Sequence, residues 1–350
     1  MKKDSHAAPS ACCPPGGRFS SWGSPTMKKT AALLFALMSC HGLSQAQEVP
    51  TLRVGWTIPG EEAKYLMAKR PELFPQLGKK YQIQWTQFQG TSPMVQAMRA
   101  GVLECSTMAP MSLANGAIES GLEAYIVAQH VHSDDDHFSV YWAVKEDSPI
   151  KTAADLKGKV IGTNAYGAGV YFDMLLWLRQ NGIDPDKDVK IVETGFPPAA
   201  DAIRSGRIDA GPMAQPFALL NEKKGGLRKL FSLSEVASPS VQIFEACSKA
   251  YSDANPEVVR AYVQDLKAAM GMLSKDPSLA VDVTAQITRA PKDLLAQYLF
   301  TDQDFARVPD MQPNLESIQG TYDRYHQAGF LKKALNVQDF YRADLREATP

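Results

Sequence analysis

Ser92–Ala109 reads SPMVQAMRAGVLECSTMA, and Pro197–Ala214 reads PPAADAIRSGRIDAGPMA. Laid over one another without a gap, the two stretches pair Pro93 with Pro198, Ala97 with Ala202 and Arg99 with Arg204. Further on, Gly101 meets Gly206, Met108 meets Met213 and Ala109 meets Ala214, while Leu103 faces Ile208 and Glu104 faces Asp209. Each copy reads as one unit. A proline opens a helix, where its missing N–H is no loss. A glycine just past the helix end accepts left-handed dihedrals. An aliphatic–acid pair then enters a strand that runs into another proline, Pro110 or Pro216. Generic βα punctuation explains the prolines and glycines but not the coincident arginine and alanines. The echo therefore predicts two similar α/β lobes.

The flanking sequence extends the pattern. Strands are expected at Thr51–Trp56, Tyr81–Phe88, 102–108 and 124–129, with helices at Glu61–Lys69, 93–100 and 111–119 between them. A second block repeats the habit, with strands at 159–162, Val189–Glu193 and Ile208–Pro212 and helices at Gly169–Gln180 and Ala199–Ser205. Strands separated by helices of this length imply βαβ units and mostly parallel sheets. The C-terminal third reads as helical, with Asn255-Pro256-Glu257 opening a helix to about Leu273.

The amino end sets the compartment. From Met27 the chain reads MKKTAALLFALMSCHGLSQAQ, with paired lysines, a short apolar run and a small-x-small exit at Ser44-Gln45-Ala46. These are the parts of a secretory signal peptide. Residues 1–26 read as a disordered extension or a start placed too early. Leu37-Met38-Ser39-Cys40 resembles a lipoprotein box, so lipid anchoring at Cys40 is the alternative to soluble export. Without residues 1–46 the chain keeps 32 basic and 37 acidic side chains, a net charge of −5. That balance excludes nucleic acid, which wants a concentrated basic patch. Cys105 and Cys247 remain, each in an apolar stretch, and two buried thiols are the expectation, with a disulfide as the alternative in an oxidising compartment.

In open α/β sheets ligands settle outside the carboxyl ends of strands, at helix N-termini. Three turns there are rich in small residues: Gln89–Ser92, Thr163–Gly169 and Met213–Pro216. Free N–H groups and the positive end of the helix dipole make such turns bind anions. Thr91, Ser92 and Asn164 add side-chain donors; Trp56, Tyr166, Phe196 and Phe217 stand beside the turns as candidate clamps for the organic part of a ligand. Between His130 and His137 lie three histidines and three aspartates, but the spacing matches no zinc signature, and a solvated crossing between lobes is the expectation. His137 is the member placed to face the cleft. No nucleophile elbow, Walker loop or HExxH helix is present, and no catalytic residue, metal ligand or cofactor is assigned.

Four further stretches occur in order: Lys145–Ile150 (KEDSPI), Asp155–Val160 (DLKGKV), Gly182–Pro185 (GIDP) and Gly206–Ala210 (GRIDA) before Pro216-Phe217. With them the chain resembles the sulfonate/nitrate/taurine group of ABC-importer binding proteins. The resemblance implies the type II periplasmic-binding fold: two Rossmann-like lobes joined by two strand crossings, with a helical C-terminal part. It implies lobe 1 in 48–138 and again in 237–345 and lobe 2 in 139–236, following the signal peptide read from the leader in 27–46. The lining loops would be those around Trp56, Thr91–Ser92, Ala109–Ser112, His137, Asn164–Gly169 (with Tyr166 and Gly167) and Met213–Phe217. Related chains often carry an acid where Gln215 stands, so the resemblance implies a ligand other than taurine. The expected function is a monomeric periplasmic receptor that delivers a small organic anion to a permease and its ATPase. The alternative is an enzyme on the same scaffold, desulfinase-like or thiamine-precursor-synthase-like, which would need a reactive cysteine such as Cys105.

Overall fold

The two copies of the echo fold alike, down to individual hydrogen bonds. The computed structural model describes residues 49–347; the proposed extension, signal peptide and Cys40 lie outside them. In chain order the elements are β1 (Thr51–Trp56), α1 (Glu62–Lys69), β2 (Gln82–Gln87), α2 (Thr91–Arg99), β3 (Cys105–Met108), α3 (Pro110–Ser120) and β4 (Ala124–Ser133). There follow β5 (Tyr141–Lys145), β6 (Val160–Thr163), α4 (Gly169–Gln180), β7 (Lys190–Glu193), α5 (Ala199–Arg204), β8 (Gly211–Met213), α6 (Phe217–Lys224) and β9 (Leu227–Ser232). The chain closes with β10 (Ser240–Ser248), α7 (Lys249–Ala254), α8 (Pro256–Lys275), α9 (Pro277–Thr288), α10 (Lys292–Leu295) and α11 (Leu315–Gln327).

Both echo helices end in the same way. Gly101 and Gly206 take φ of 69° and 74°. Their N–H groups reach Met98 O and Ile203 O at 3.0 Å each, and the next N–H groups reach Ala97 O (2.8 Å) and Ala202 O (2.9 Å). This is the paired closure of a Schellman motif. The repeated arginines share a task as well. Arg99 donates to Ser120 O at the end of α3, and Arg204 donates to Asn221 Oδ1 and to Gly225 O at the end of α6. Each guanidinium thus meets carbonyls that a helix terminus leaves without partners.

The acids act across strands. Glu104 accepts the backbone N–H of Arg53 in β1 (2.7 Å), and Asp209 accepts that of Val160 in β6 (2.8 Å). Two residues further along those strands lie Gly55 and Gly162. A Cβ on Gly55 would stand 2.7 Å from Leu103 Cδ1, and one on Gly162 would stand 2.8 Å from Ile208 Cδ1. The aliphatic–acid pair of the echo therefore locks onto a glycine-bearing neighbour strand in each lobe.

Sheet order repeats too. Lobe 1 holds a five-stranded sheet, β2-β1-β3-β10-β4, with β1 parallel to β2 and β3, and β10 antiparallel to β3 and β4. In lobe 2, β6 is parallel to β7, and β5 lies antiparallel to both β8 and β9. A parallel bridge from Ile161 to Ala210 joins these into the order β7-β6-β8-β5-β9. In each sheet the fourth strand arrives from the other lobe: β5 after the β4 crossing, β10 after β9. The helices α8 and α9 cover lobe 1 against α1, and α11 packs on α3 and β10. Lobe 2 centres on Trp142, Phe231 and Trp177, stacked nearly parallel.

Two expectations are corrected here. Cys105 and Cys247, cross-strand partners on β3 and β10, form a disulfide instead of standing as thiols. His130 does not lie in a solvated crossing: β4 runs on to Ser133, and His130 is fully buried against Glu245 Oε2 at 3.0 Å.

His130 belongs to a buried ionic cluster in lobe 1. Lys64, 1% exposed, places its Nζ 2.6 Å from Glu245 and 3.0 Å from Glu61, and donates to Gly55 O (2.9 Å) and Thr107 Oγ1 (2.6 Å). Tyr262 donates to the other oxygen of Glu245 at 3.0 Å. Burial would push the Glu245 carboxyl up, but Lys64 and His130 outweigh it and hold it below its ordinary range.

Candidate functional site

Between the lobes lies a cleft of about 640 Å³, at the carboxyl ends of β1, β2, β6 and β7. Lobe 1 supplies Thr57–Pro59, Gln87–Thr91, Ala109 and Pro110, together with Ser240–Ile243 from the β9–β10 crossing. Lobe 2 supplies Asn164, Ala165, Ala168–Val170, Asp173, Glu193–Pro197, Ala214 and Phe217. Phe305, Thr321 and Tyr325 reach in from the C-terminal part.

Four helices, α2, α3, α4 and α6, start on this lining, and in α6 the Gln215 side chain already accepts the Leu219 N–H. The residues before α2, α3 and α4 are Gly90, Ala109 and Ala168, and none of these three helices has a side-chain cap. Their first N–H groups thus keep the positive end of each helix dipole unmasked. The loop after β1 is fixed from behind by the ionic cluster: Glu61 accepts the Thr57 N–H at 2.8 Å, and Tyr65 donates to Thr57 O at 3.0 Å. Glu61 is therefore a positioning residue for the cleft wall.

The lobes also touch directly. Ser92 Oγ donates to Gly167 O at 3.1 Å, from the start of α2 to the loop before α4. Tyr325 on α11 donates to Asp173 Oδ1 on α4 at 2.5 Å. Burial pushes the Asp173 carboxyl up to about 6, against the Tyr325 hydrogen bond and the Arg324 charge. Arg179 reaches the Ala328 carbonyl and lies 4.2 Å over the Phe330 ring.

Of the residues singled out in the sequence, Thr91, Ala109, Asn164, Phe196 and Phe217 lie on the cleft lining. The other seven stand elsewhere. Trp56 ends β1, half-buried, and packs edge-on against Tyr65 at 5.6 Å on the flank of the core. Ser92 and Gly167 form the inter-lobe bond just described, and Ser112 is buried with its Oγ 2.6 Å from Thr91 Oγ1. Tyr166 is 53% exposed and folds back on β7, its N–H on Glu193 and its hydroxyl on Ile191 O. Gln215 is buried, donating to Gln303 O and accepting from the Leu219 N–H. His137 bonds Asp134 at 2.8 Å and lines a separate concavity of about 370 Å³. Among the described residues, no three histidine, cysteine, aspartate or glutamate side chains converge as a metal site. Cys105, the thiol that enzyme chemistry would need, is tied up in the disulfide.

Sequence reasoning missed Asp173, Glu193, Phe88, Phe305 and Tyr325. Glu193 had a signal, since it ends a strand at the sheet edge where ligands bind. Tyr325 had none, lying 152 residues from its partner Asp173.

Residues 45–288 match the profile described as the NMT1-like family. A Brachyspira hyodysenteriae protein named as an ABC transporter periplasmic binding protein is 27% identical over 266 residues, covering 71% of this chain and 73% of that one. An Escherichia coli K12 protein named as an aliphatic sulfonates-binding protein is 24% identical, over 67% of this chain and 71% of its own length. Among solved structures, the alkanesulfonate-binding protein of Xanthomonas axonopodis pv. citri bound to MOPS superposes with a TM-score of 0.68 at 21% identity. It covers 83% of this chain and 98% of that one, and the likeness carries the two-lobed fold.

Proposed function

Because the chain belongs to the NMT1-like family, we propose that it is the periplasmic solute-binding component of an ABC importer. Its cargo is a small organic anion of the sulfonate or carboxylate class, gripped between the lobes and released to a permease driven by its ATPase. The observation that carries this reading is the convergence of three helix starts without side-chain caps, from both lobes, on one cleft. An acidic head placed there takes hydrogen bonds from backbone N–H groups and meets three positive dipole ends. Because α2 and α3 belong to one lobe and α4 to the other, an anion that engages all of them favours the closed arrangement. The relative named for aliphatic sulfonates supports the same class. Export by the leader at 27–46 agrees with a periplasmic receptor acting as a monomer; lipid attachment at Cys40 would tether the same receptor to the membrane.

A melting-temperature screen of alkane and aromatic sulfonates, carboxylates, nitrate and bicarbonate tests the reading. A true ligand at one hundred times its Kd stabilises the folded chain by about 2.7 kcal/mol. A flat response across the panel refutes it.

A further inference from the structure

Resting on the reading that the cleft holds an organic anion, we infer that its ligand is a zwitterion whose protonated amine faces Asp173 and Glu193. The cleft lining carries these two carboxylates and, among the described residues, no lysine, arginine or histidine. A plain anion would bring its charge beside two acids with no cationic side chain on the lining to offset them, and like charges across a binding site weigh against the partner that carries them. A ligand with an amine at its far end turns the same acids into partners.

Each acid has an oxygen to give. Asp173 spends Oδ1 on the Tyr325 hydroxyl, and Glu193 spends Oε2 on the Tyr166 N–H; among the described residues, Asp173 Oδ2 and Glu193 Oε1 have no hydrogen-bond partner. Gln215 is occupied with Gln303 and Leu219 and offers the cleft nothing. Phe88, Phe196, Phe217 and Phe305 line the remaining space, which favours an aromatic or similarly bulky body between the charged ends. Aromatic faces also tolerate a nearby ammonium. A cleft of about 640 Å³ is in the range of organic ligands and far beyond an inorganic anion.

Isothermal titration calorimetry of the purified chain near neutral pH decides it, with three probes: para-(aminomethyl)benzenesulfonate, para-toluenesulfonate and para-methylbenzylamine. The zwitterion is expected to bind at least about tenfold tighter than toluenesulfonate, the equivalent of one good charge contact. In D173N and in E193Q that ratio falls to about threefold or less; circular dichroism verifies folding, and E193Q stands alone should D173N not fold. Toluenesulfonate binding as tightly as the zwitterion overturns the inference and leaves the proposed function standing. A preference that survives in both variants overturns the assignment to these acids. Methylbenzylamine matching the zwitterion overturns the zwitterion in favour of a plain cation. If neither sulfonate binds, the inference falls, and the carboxylate and inorganic-anion arms of the melting screen decide whether the proposed function stands.

Discussion

Lys64→Met removes the one cation that sits between Glu61 and Glu245, all three side chains at most 1% exposed. The wild-type ammonium makes four polar contacts: two carboxylates, the Gly55 carbonyl and the Thr107 hydroxyl. Methionine fills the volume but supplies none of them. Two buried carboxylates are then left facing each other, and breaking a buried pair in this way costs roughly 3–5 kcal/mol. That is a large part of the total stability of about 5–15 kcal/mol usual for a folded domain. In thermal terms the loss is on the order of 10 °C in Tm.

The pH dependence separates this mechanism from a simple packing defect. In the wild type the Glu245 carboxyl lies below its ordinary value, so it contributes stability that is present above the ordinary carboxylate range and lost as pH falls through the folded value. Burial raises it; Lys64, His130 and the hydrogen bonds around it lower it. Without Lys64 burial prevails, the carboxyl moves up, and the variant loses stability as pH rises. The deficit of K64M should therefore be largest near neutrality and shrink toward about pH 4, where Glu245 takes up a proton. Urea unfolding followed by tryptophan fluorescence at both pH values measures it. A K64M deficit below about 1 kcal/mol at neutral pH, or one equal at both pH values, refutes the argument.

Three more outcomes follow from the same geometry. Asp173→Asn should gain stability relative to wild type as pH rises from about 4 to above 6, because the wild-type carboxyl, pushed up to about 6 by burial, opposes folding once it ionises; urea midpoints at the two ends of that window measure the difference. Gly162→Ala should destabilise by about 1–3 kcal/mol, since its Cβ meets Ile208 Cδ1 at 2.8 Å, and Ile208→Val should recover part of the loss in the double variant. Arg204→Ala should lose about 1–2 kcal/mol through its bonds to Asn221 and Gly225, whereas Arg99→Ala, with one exposed bond to Ser120, should lose less; a reversed order in thermal melts would contradict the shared capping role.

Much of the fold was legible because it rests on short-range chemistry repeated twice. Proline, arginine, glycine, aliphatic and acid recur at fixed spacing, and each does the same local work in both lobes. Helix α4 occupies the very residues expected, and most other elements shift by only one to three positions, where terminal residues compete between helix, turn and strand. The helix starts that build the cleft were legible for the same reason: small residues after a strand mark where a helix begins.

What lay beyond the sequence depends on partners far apart in the chain. Whether Cys105 and Cys247 pair is decided by the antiparallel docking of β10 on β3, across 142 residues. Whether His130 meets solvent depends on how far β4 pairs with β10, which brings Glu245 beside it. Gln215 and Tyr166 stood in the right turns, yet a side chain turns toward its best available hydrogen bond, and Gln303 and Ile191 provided those bonds elsewhere. Asp173 joined the site because α11 folds back to offer it the Tyr325 hydroxyl. Local sequence set where helices and strands begin and end; the long-range pairing of strands and the return of the C-terminal helices determined which side chains look into the cleft, because orientation is settled by contacts that exist only once the chain is folded.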